Sequence, residues 1–158
     1  VQPFEKLVTD HGAMVLRVCR ATVGPVDAED AWSETFLAAL QAYPSLPADA
    51  DVVAWLVTIA HRRSVDLLRR RGRAPIPVDP PPSPAGTDRD RAAELALYDA
   101  LRGLTERQRL CVAYHHLAGL PYREVAALVG GTEAAARRAA ADGIRALRRV
   151  LAEEGVGA

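Results

Sequence analysis

The chain has 158 residues, 49% of them apolar, and its 20 basic and 20 acidic residues give a formal net charge of zero. That is enough apolar material for one ordinary domain or two small ones, and it excludes a chain disordered throughout. No apolar run approaches bilayer-spanning length and the first residues lack the charged-then-apolar pattern of an export signal, so a cytoplasmic protein without membrane insertion is expected.

In chain order, the first predicted helix runs from Phe4 to Val23, with Leu7, Val8, Val15, Leu16, Val18 and Cys19 at roughly helical spacing, and stops at Gly24-Pro25. A second, Asp27 to Ala42, opens with Asp27, Glu29 and Asp30, acids that the helix dipole favours in a first turn, and ends before Pro44. The third, Asp51 to Arg71, buries Val52, Leu56, Ile59, Ala60 and Leu67, while Arg62, Arg69 and Arg73 recur along another face.

Gly72 to Asp88, GRAPIPVDPPPSPAGTD, has neither helical nor strand periodicity and cannot be the interior of an element. Such a segment is extended and semi-stiff; its length of up to roughly 50 Å would let the flanking modules act apart. Beyond it come helices from Arg89 to Leu101 and from Glu106 to Leu117, the latter started by Thr105 and Gln108 at capping-box spacing. No strand-like alternation of useful length appears. The expected fold is all-α, two small helical bundles joined by the proline-rich linker.

Leu120 to Leu147 carries the sharpest local signal. Pro121 suits a helix start, Val125, Ala126, Leu128 and Val129 form an apolar face ending at Gly130-Gly131, and Thr132 can cap a following helix that bears Arg137 and Arg138. Two helices about a glycine turn, the second presenting basic side chains near its start, are the layout of a helix-turn-helix. The alternative is an ordinary helical hairpin with a solvated basic face. Charge is also unevenly spread. Residues 1–60 hold three bases against eight acids, whereas His61 to Arg73 holds six arginines against Asp66, a division that suggests two different partners.

Taken together, these segments resemble an extracytoplasmic-function (ECF) sigma factor. DAEDAWSETFLAAL, Asp27 to Leu40, is similar to the region 2 helix that docks on the β′ clamp helices of core RNA polymerase. VVAWLVTIAHRRSVDLLRRR, Val52 to Arg71, is similar to the strand-opening helix that reads the minus-10 element, with Trp55 and Asp66 in their usual places. LRGLTERQRLCVAYHHLAGLPYREVAALVGG, Leu101 to Gly131, is similar to region 4.

The resemblance implies a sigma-2-like domain at 1–73, a linker at 74–88 and a sigma-4-like helix-turn-helix domain at 89–158. It implies promoter DNA and core polymerase (β′ clamp helices and β flap) as partners, and raises an anti-sigma factor as another. Polymerase contact falls to Asp27, Glu29, Asp30, Glu34, Thr35, Leu37 and Leu40. Minus-10 contact falls to Leu46, Ala48, Asp49, Trp55, His61, Arg62, Arg63, Arg69 and Arg70, and minus-35 contact to Arg123, Thr132, Glu133, Ala135, Arg137 and Arg138. Trp55 reads more readily as a core residue than as a base-stacking one. Departures from the family pattern lie at DNA-reading positions: Leu46, Pro47 and Ala48 replace a phenylalanine-arginine-glycine run, Arg62 stands where asparagine is common, and Ala139, Asp142 and Ile144 replace repeated arginines. Asp142 would face phosphate unfavourably, and Gly143 costs about 1 kcal/mol of helix propensity against alanine.

No cofactor or metal is implied. Cys19 and Cys111 lack CxxC spacing and read as buried reduced thiols, and His115-His116, the pair an enzyme would need, has no metal spacing, nucleophile elbow or phosphate loop beside it. The expectation is a non-enzymatic initiation factor. The competing reading is a sigma-like regulator or polymerase-binding adaptor that has lost initiation.

Overall fold

The computed structural model describes residues 2–72 and 88–153. Among them are seven α-helices and no strand: α1 (Phe4–Val23), α2 (Ala28–Ala42), α3 (Val52–Arg71), α4 (Asp88–Arg102), α5 (Glu106–Val112), α6 (Tyr122–Val129) and α7 (Glu133–Glu153). The expected all-helical fold is the observed one. The proline-rich stretch from Arg73 to Thr87 lies outside the described residues.

Local chemistry accounts for the helix ends. Asp51 caps α3 by accepting from the Ala54 amide at 3.1 Å. Thr105 and Gln108 form the reciprocal capping box at the start of α5, each side chain taking the other's backbone N–H at 3.2 Å. Helix α5 does not simply run on to Leu117: from Ala113 to Leu117 the chain widens into a π-helical turn, which the periodicity of the sequence did not foretell.

Helices α1, α2 and α3 close on one core that includes Leu7, Val15, Cys19, Phe36, Leu56 and Leu67. Trp32 ties α2 to α1 by donating its indole N–H to the Gly12 carbonyl at 2.9 Å. Helices α4 to α7 close on a second core that includes Leu101, Leu110, Tyr114, Val125, Ala136 and Leu147. Gly143 is what lets α7 cross α5: a Cβ there would stand 2.7 Å from Val112 Cγ2. The propensity cost noted in the sequence is offset by close packing.

The two bundles are not held apart. Val18, Ala21 and Val57, from α1 and α3, belong to the same buried cluster as Leu101, Leu104 and Tyr114 of the second bundle. Arg20 of α1 adds an ion pair to Glu94 of α4 at 3.1 Å. The separation suggested by a stiff linker is therefore replaced, in this structure, by a shared core. The reason is that apolar side chains on α1 and α3 exceed what their own bundle covers, and α4 and the π turn bury the remainder.

Candidate nucleic-acid and partner interfaces

Helix α2 presents three kinds of residue. Glu29 and Asp30 are exposed in its first turn, and Leu37 and Leu40 are 63% and 51% exposed, large apolar side chains left in water beside acids. Such a mixed face fits a protein partner whose own surface is part basic and part apolar. Two residues expected on that face lie inside instead. Thr35 is fully buried and donates its hydroxyl to the Ala31 carbonyl at 2.6 Å, since a hydroxyl shut away from water must find an acceptor within the helix. Asp27 is 6% exposed and pairs with the Arg71 guanidinium, Oδ2 to Nε at 3.2 Å, which closes the open end of α3 over the start of α2.

Glu34 is half-buried and meets Arg70 across the helices through both carboxylate oxygens, at 2.9 and 3.1 Å. A residue expected to meet polymerase is thus paired with one expected to meet DNA. The hydrogen-bonded carboxylate raises the Arg70 pKa above its ordinary value.

Along α3, Arg62, Arg63 and Arg69 are exposed with Arg70, and Asp51, Ala48 and Asp49 mark the exposed loop before it. Leu46 is half-buried there. Trp55 is partly buried against the first core and lies 6.4 Å, ring to ring, from Tyr43, a core setting rather than a free stacking face. His61 is turned towards the second bundle: its Nδ1 stands 2.6 Å from the Tyr114 hydroxyl, and the rings meet edge to face at 5.4 Å. Burial lowers the His61 pKa, partly opposed by Glu106 and assisted by Arg62. A cleft of about 360 Å³ between α3 and α6 is lined by Thr58, His61, Arg62, Leu120 and Glu124.

The helix-turn-helix has the expected geometry. Gly130 and Gly131 take φ of 90° and 88°, the left-handed region that side chains avoid, and the Gly130 carbonyl accepts from Arg107 of α5 at 2.7 Å, fixing the turn to the bundle. Thr132 then caps α7, its hydroxyl accepting from the Ala135 amide at 3.0 Å. Ala135 is half-buried, whereas Arg123, Thr132, Glu133, Arg137 and Arg138 are exposed. Arg137 and Arg138 share one groove of α7 with Ala134, Ala141, Asp142 and Arg145. Asp142 pairs with Arg145, so its charge is neutralised locally and does not stand alone on this basic face.

The histidine pair has a structural setting that the sequence reading missed. His115 and His116 meet edge to face at 4.8 Å, and His115 stacks on Tyr122. Among the described residues no group of three or more His, Cys, Asp or Glu side chains is placed to hold a metal ion. Cys19 and Cys111 are free and buried, and burial pushes the Cys19 thiol up to about 12, so it carries no thiolate at neutral pH. No helix among the described residues is long and apolar enough to cross a membrane.

A three-helix bundle with an acidic-apolar outer face on α2, packed on a bundle that ends in a helix-turn-helix with basic side chains on α7, defines a helical protein of two modules. Residues 7–74 match Sigma-70 region 2, and residues 94–147 match Sigma-70, region 4. The ECF RNA polymerase sigma factor SigK of Mycolicibacterium vanbaalenii is 34% identical over 121 residues, covering 66% of this chain and 58% of that protein. The ECF RNA polymerase sigma factor BldN of Streptomyces coelicolor is 31% identical over 161 residues, covering 96% of this chain and 61% of that protein. The chain therefore spans about three-fifths of the length of these curated relatives.

Among solved structures, the sigma factor RpoE of Bartonella quintana, crystallised with the anti-sigma factor NepR, shares the fold at a TM-score of 0.71 and 21% identity, over 93% of this chain and 97% of that one. CnrH, in complex with the cytosolic domain of CnrY, does so at 0.69 and 22%, over 95% of this chain and 88% of that one. The chain belongs to the sigma-70 family, with region 2 followed by region 4.

Proposed function

We propose that the chain is a promoter-specificity subunit: it binds core RNA polymerase, directs it to particular promoters and assists strand opening, while polymerase supplies the chemistry. The observation that carries this reading is the pairing of region 2 with a region 4 helix whose outer face presents Arg137 and Arg138 beside a properly capped start.

In this reading residues 1–73 form the sigma-2-like unit, 74–88 the linker and 89–158 the sigma-4-like unit. Glu29, Asp30, Leu37 and Leu40 offer the clamp helices of β′ an acidic rim around apolar anchors, with Glu34 at its edge. Arg62, Arg63, Arg69 and Arg70 supply the phosphate track beside the minus-10 strand, with Leu46, Ala48 and Asp49 in the loop that receives an extruded base. Arg123 and Thr132 steady the second module on upstream phosphates, and Glu133, Arg137 and Arg138 read base edges at the minus-35 element. Asp27, Thr35 and Trp55 act from within, fixing α2 and α3. The protein works in the cytoplasm without enzymatic activity of its own. An anti-sigma factor is proposed as its inhibitory partner, a reading supported by RpoE having been crystallised with one.

Pull-down with core polymerase, followed by run-off transcription on genomic fragments, tests the proposal. Retention of polymerase with discrete new transcripts is the expected result. Retention without transcripts favours a polymerase-binding regulator, and no retention overturns the sigma reading.

A further inference from the structure

Arg137 is 59% exposed, on a helix otherwise rich in alanine, and a long exposed side chain in that setting would sample many rotamers before meeting DNA. The structure restrains it from two sides. Its guanidinium lies over the Tyr122 ring of α6, 5.0 Å from the centroid, and Glu133 one turn earlier reaches it at 3.3 Å. The ion pair is exposed at both partners and so contributes little. The ring is the stiffer guide, because it is itself held.

What holds the ring is His115. The two rings are stacked at 3.8 Å with 15° between their planes, which fills one face of Tyr122 and leaves the opposite face for the guanidinium. His115 in turn is fixed by its Nδ1 at 2.8 Å from the Leu120 carbonyl and sits in the π-helical turn from Ala113 to Leu117. Without that widened turn the helix would carry His115 round to a different angle. A chain of contacts thus runs from the second core to an arginine on the DNA-facing side of α7.

We infer that Tyr122, backed by His115, is a positioning residue for Arg137: it holds the guanidinium in the plane and direction needed to reach a base edge, and so sets sequence discrimination rather than general affinity. The inference rests on the proposed DNA reading by α7. It requires no contact between Tyr122 and a base. Pre-ordering the side chain lowers the entropy lost when the guanidinium forms its two-pronged hydrogen bonds, whose geometry is strict, whereas a phosphate contact tolerates a looser arginine.

The test uses the full chain with core polymerase. A pool of duplexes randomised upstream of the start site is selected, and the winning duplex is titrated alongside its single-base variants. Arg137→Ala should abolish preference at one position. Tyr122→Leu should relax preference at that same position about two- to fivefold, the range a surface cation–π contact supports, and Tyr122→Phe should restore it. In the Arg137→Ala background Tyr122→Leu should add nothing. His115→Gln keeps a donor for the Leu120 carbonyl but removes the stacked ring, and should act in the same direction as Tyr122→Leu even if the leucine variant folds poorly. If Arg137→Ala relaxes one position but the Tyr122 and His115 variants weaken all duplexes equally, or add fully to Arg137→Ala, the positioning role is overturned while the DNA reading stands. If Arg137→Ala leaves every preference intact, the reading by Arg137 falls and the inference falls with it.

Discussion

His61 of the arginine-rich helix and Tyr114 of the second bundle meet across the two modules, Nδ1 to hydroxyl at 2.6 Å, with the tyrosine completely buried. A side chain expected to serve the minus-10 strand is thereby engaged inside the free protein. Opening the two modules would release it, together with the apolar faces of Val18, Ala21 and Val57.

Removing the tyrosine hydroxyl leaves the His61 ring nitrogen without this partner, so Tyr114→Phe should loosen the closed arrangement by about 1 kcal/mol, a typical net value for such a bond. Small-angle scattering should then show a larger mean dimension for the variant than for the parent chain. Identical profiles would mean that the shared apolar core alone sets the arrangement.

Acidification should act in the same direction. Burial depresses the His61 pKa below its ordinary 6.5, with Arg62 lowering it further and Glu106 opposing, so the folded state favours the neutral ring. The associated stability is fully present above pH 6.5 and is lost as pH falls through the depressed value. His116, also lowered by burial and by His115, adds to that slope. Histidine ring titration by NMR should place His61 below a histidine in an unfolded reference, and His61→Gln should flatten the acid limb of the stability curve.

On α2, Glu29 and Asp30 are exposed on the same helix as the apolar pair Leu37 and Leu40, whereas Glu34 is half-buried and paired with Arg70. Asp30→Arg combined with Leu37→Ser should therefore weaken core polymerase binding by at least about tenfold, the effect of losing one good interface anchor, without changing helix content. The charge reversal Glu34→Arg should weaken binding too, because it removes the acid at the edge of that face and sets a second guanidinium against Arg70. Unaltered affinity in both variants would remove α2 from the docking surface.

The helices themselves were legible because their ends are chemically marked. Gly24-Pro25, the Thr105–Gln108 box and the Gly130-Gly131 turn all stand where the sequence placed them. The π turn was not legible, since His115 and His116 follow an unbroken helical pattern and the extra width of the turn leaves no signature in spacing. The shared core was hidden for a different reason. Val18, Ala21 and Val57 read as ordinary members of an amphipathic face, and nothing in periodicity says which bundle an apolar side chain will meet. Of the candidate contacts, the exposed arginines were read from charge, helical spacing and resemblance, while Asp27 and Thr35 looked like surface residues because a polar side chain with an internal partner cannot be told from one facing water.

Gly143 offers a test of packing against propensity. Alanine there should gain roughly 1 kcal/mol of helix preference, yet its Cβ would stand 2.7 Å from Val112 Cγ2 and force α7 away from α5. Overpacking of this kind costs about 1–3 kcal/mol, so Gly143→Ala should be destabilising in urea unfolding. Pairing it with Val112→Ala should recover part of the loss, and a Gly143→Ala variant more stable than the parent would show that the two helices have room to separate.

Arg138 neighbours Arg137 in the same groove, but among the described residues no ring or acid pairs with it, so the two arginines should differ in kind. An oriented guanidinium suits a base edge, and a free one suits the phosphate backbone. Arg137→Ala should cost about 1–3 kcal/mol on the preferred duplex and much less on a duplex altered at the contacted base. Arg138→Ala should weaken all duplexes alike and reduce the slope of log affinity against log salt by about 0.9, the value for one released counterion. Binding titrations at several salt concentrations separate the two, and an Arg138→Ala variant that changes base preference with an unchanged salt slope would reverse the assignment.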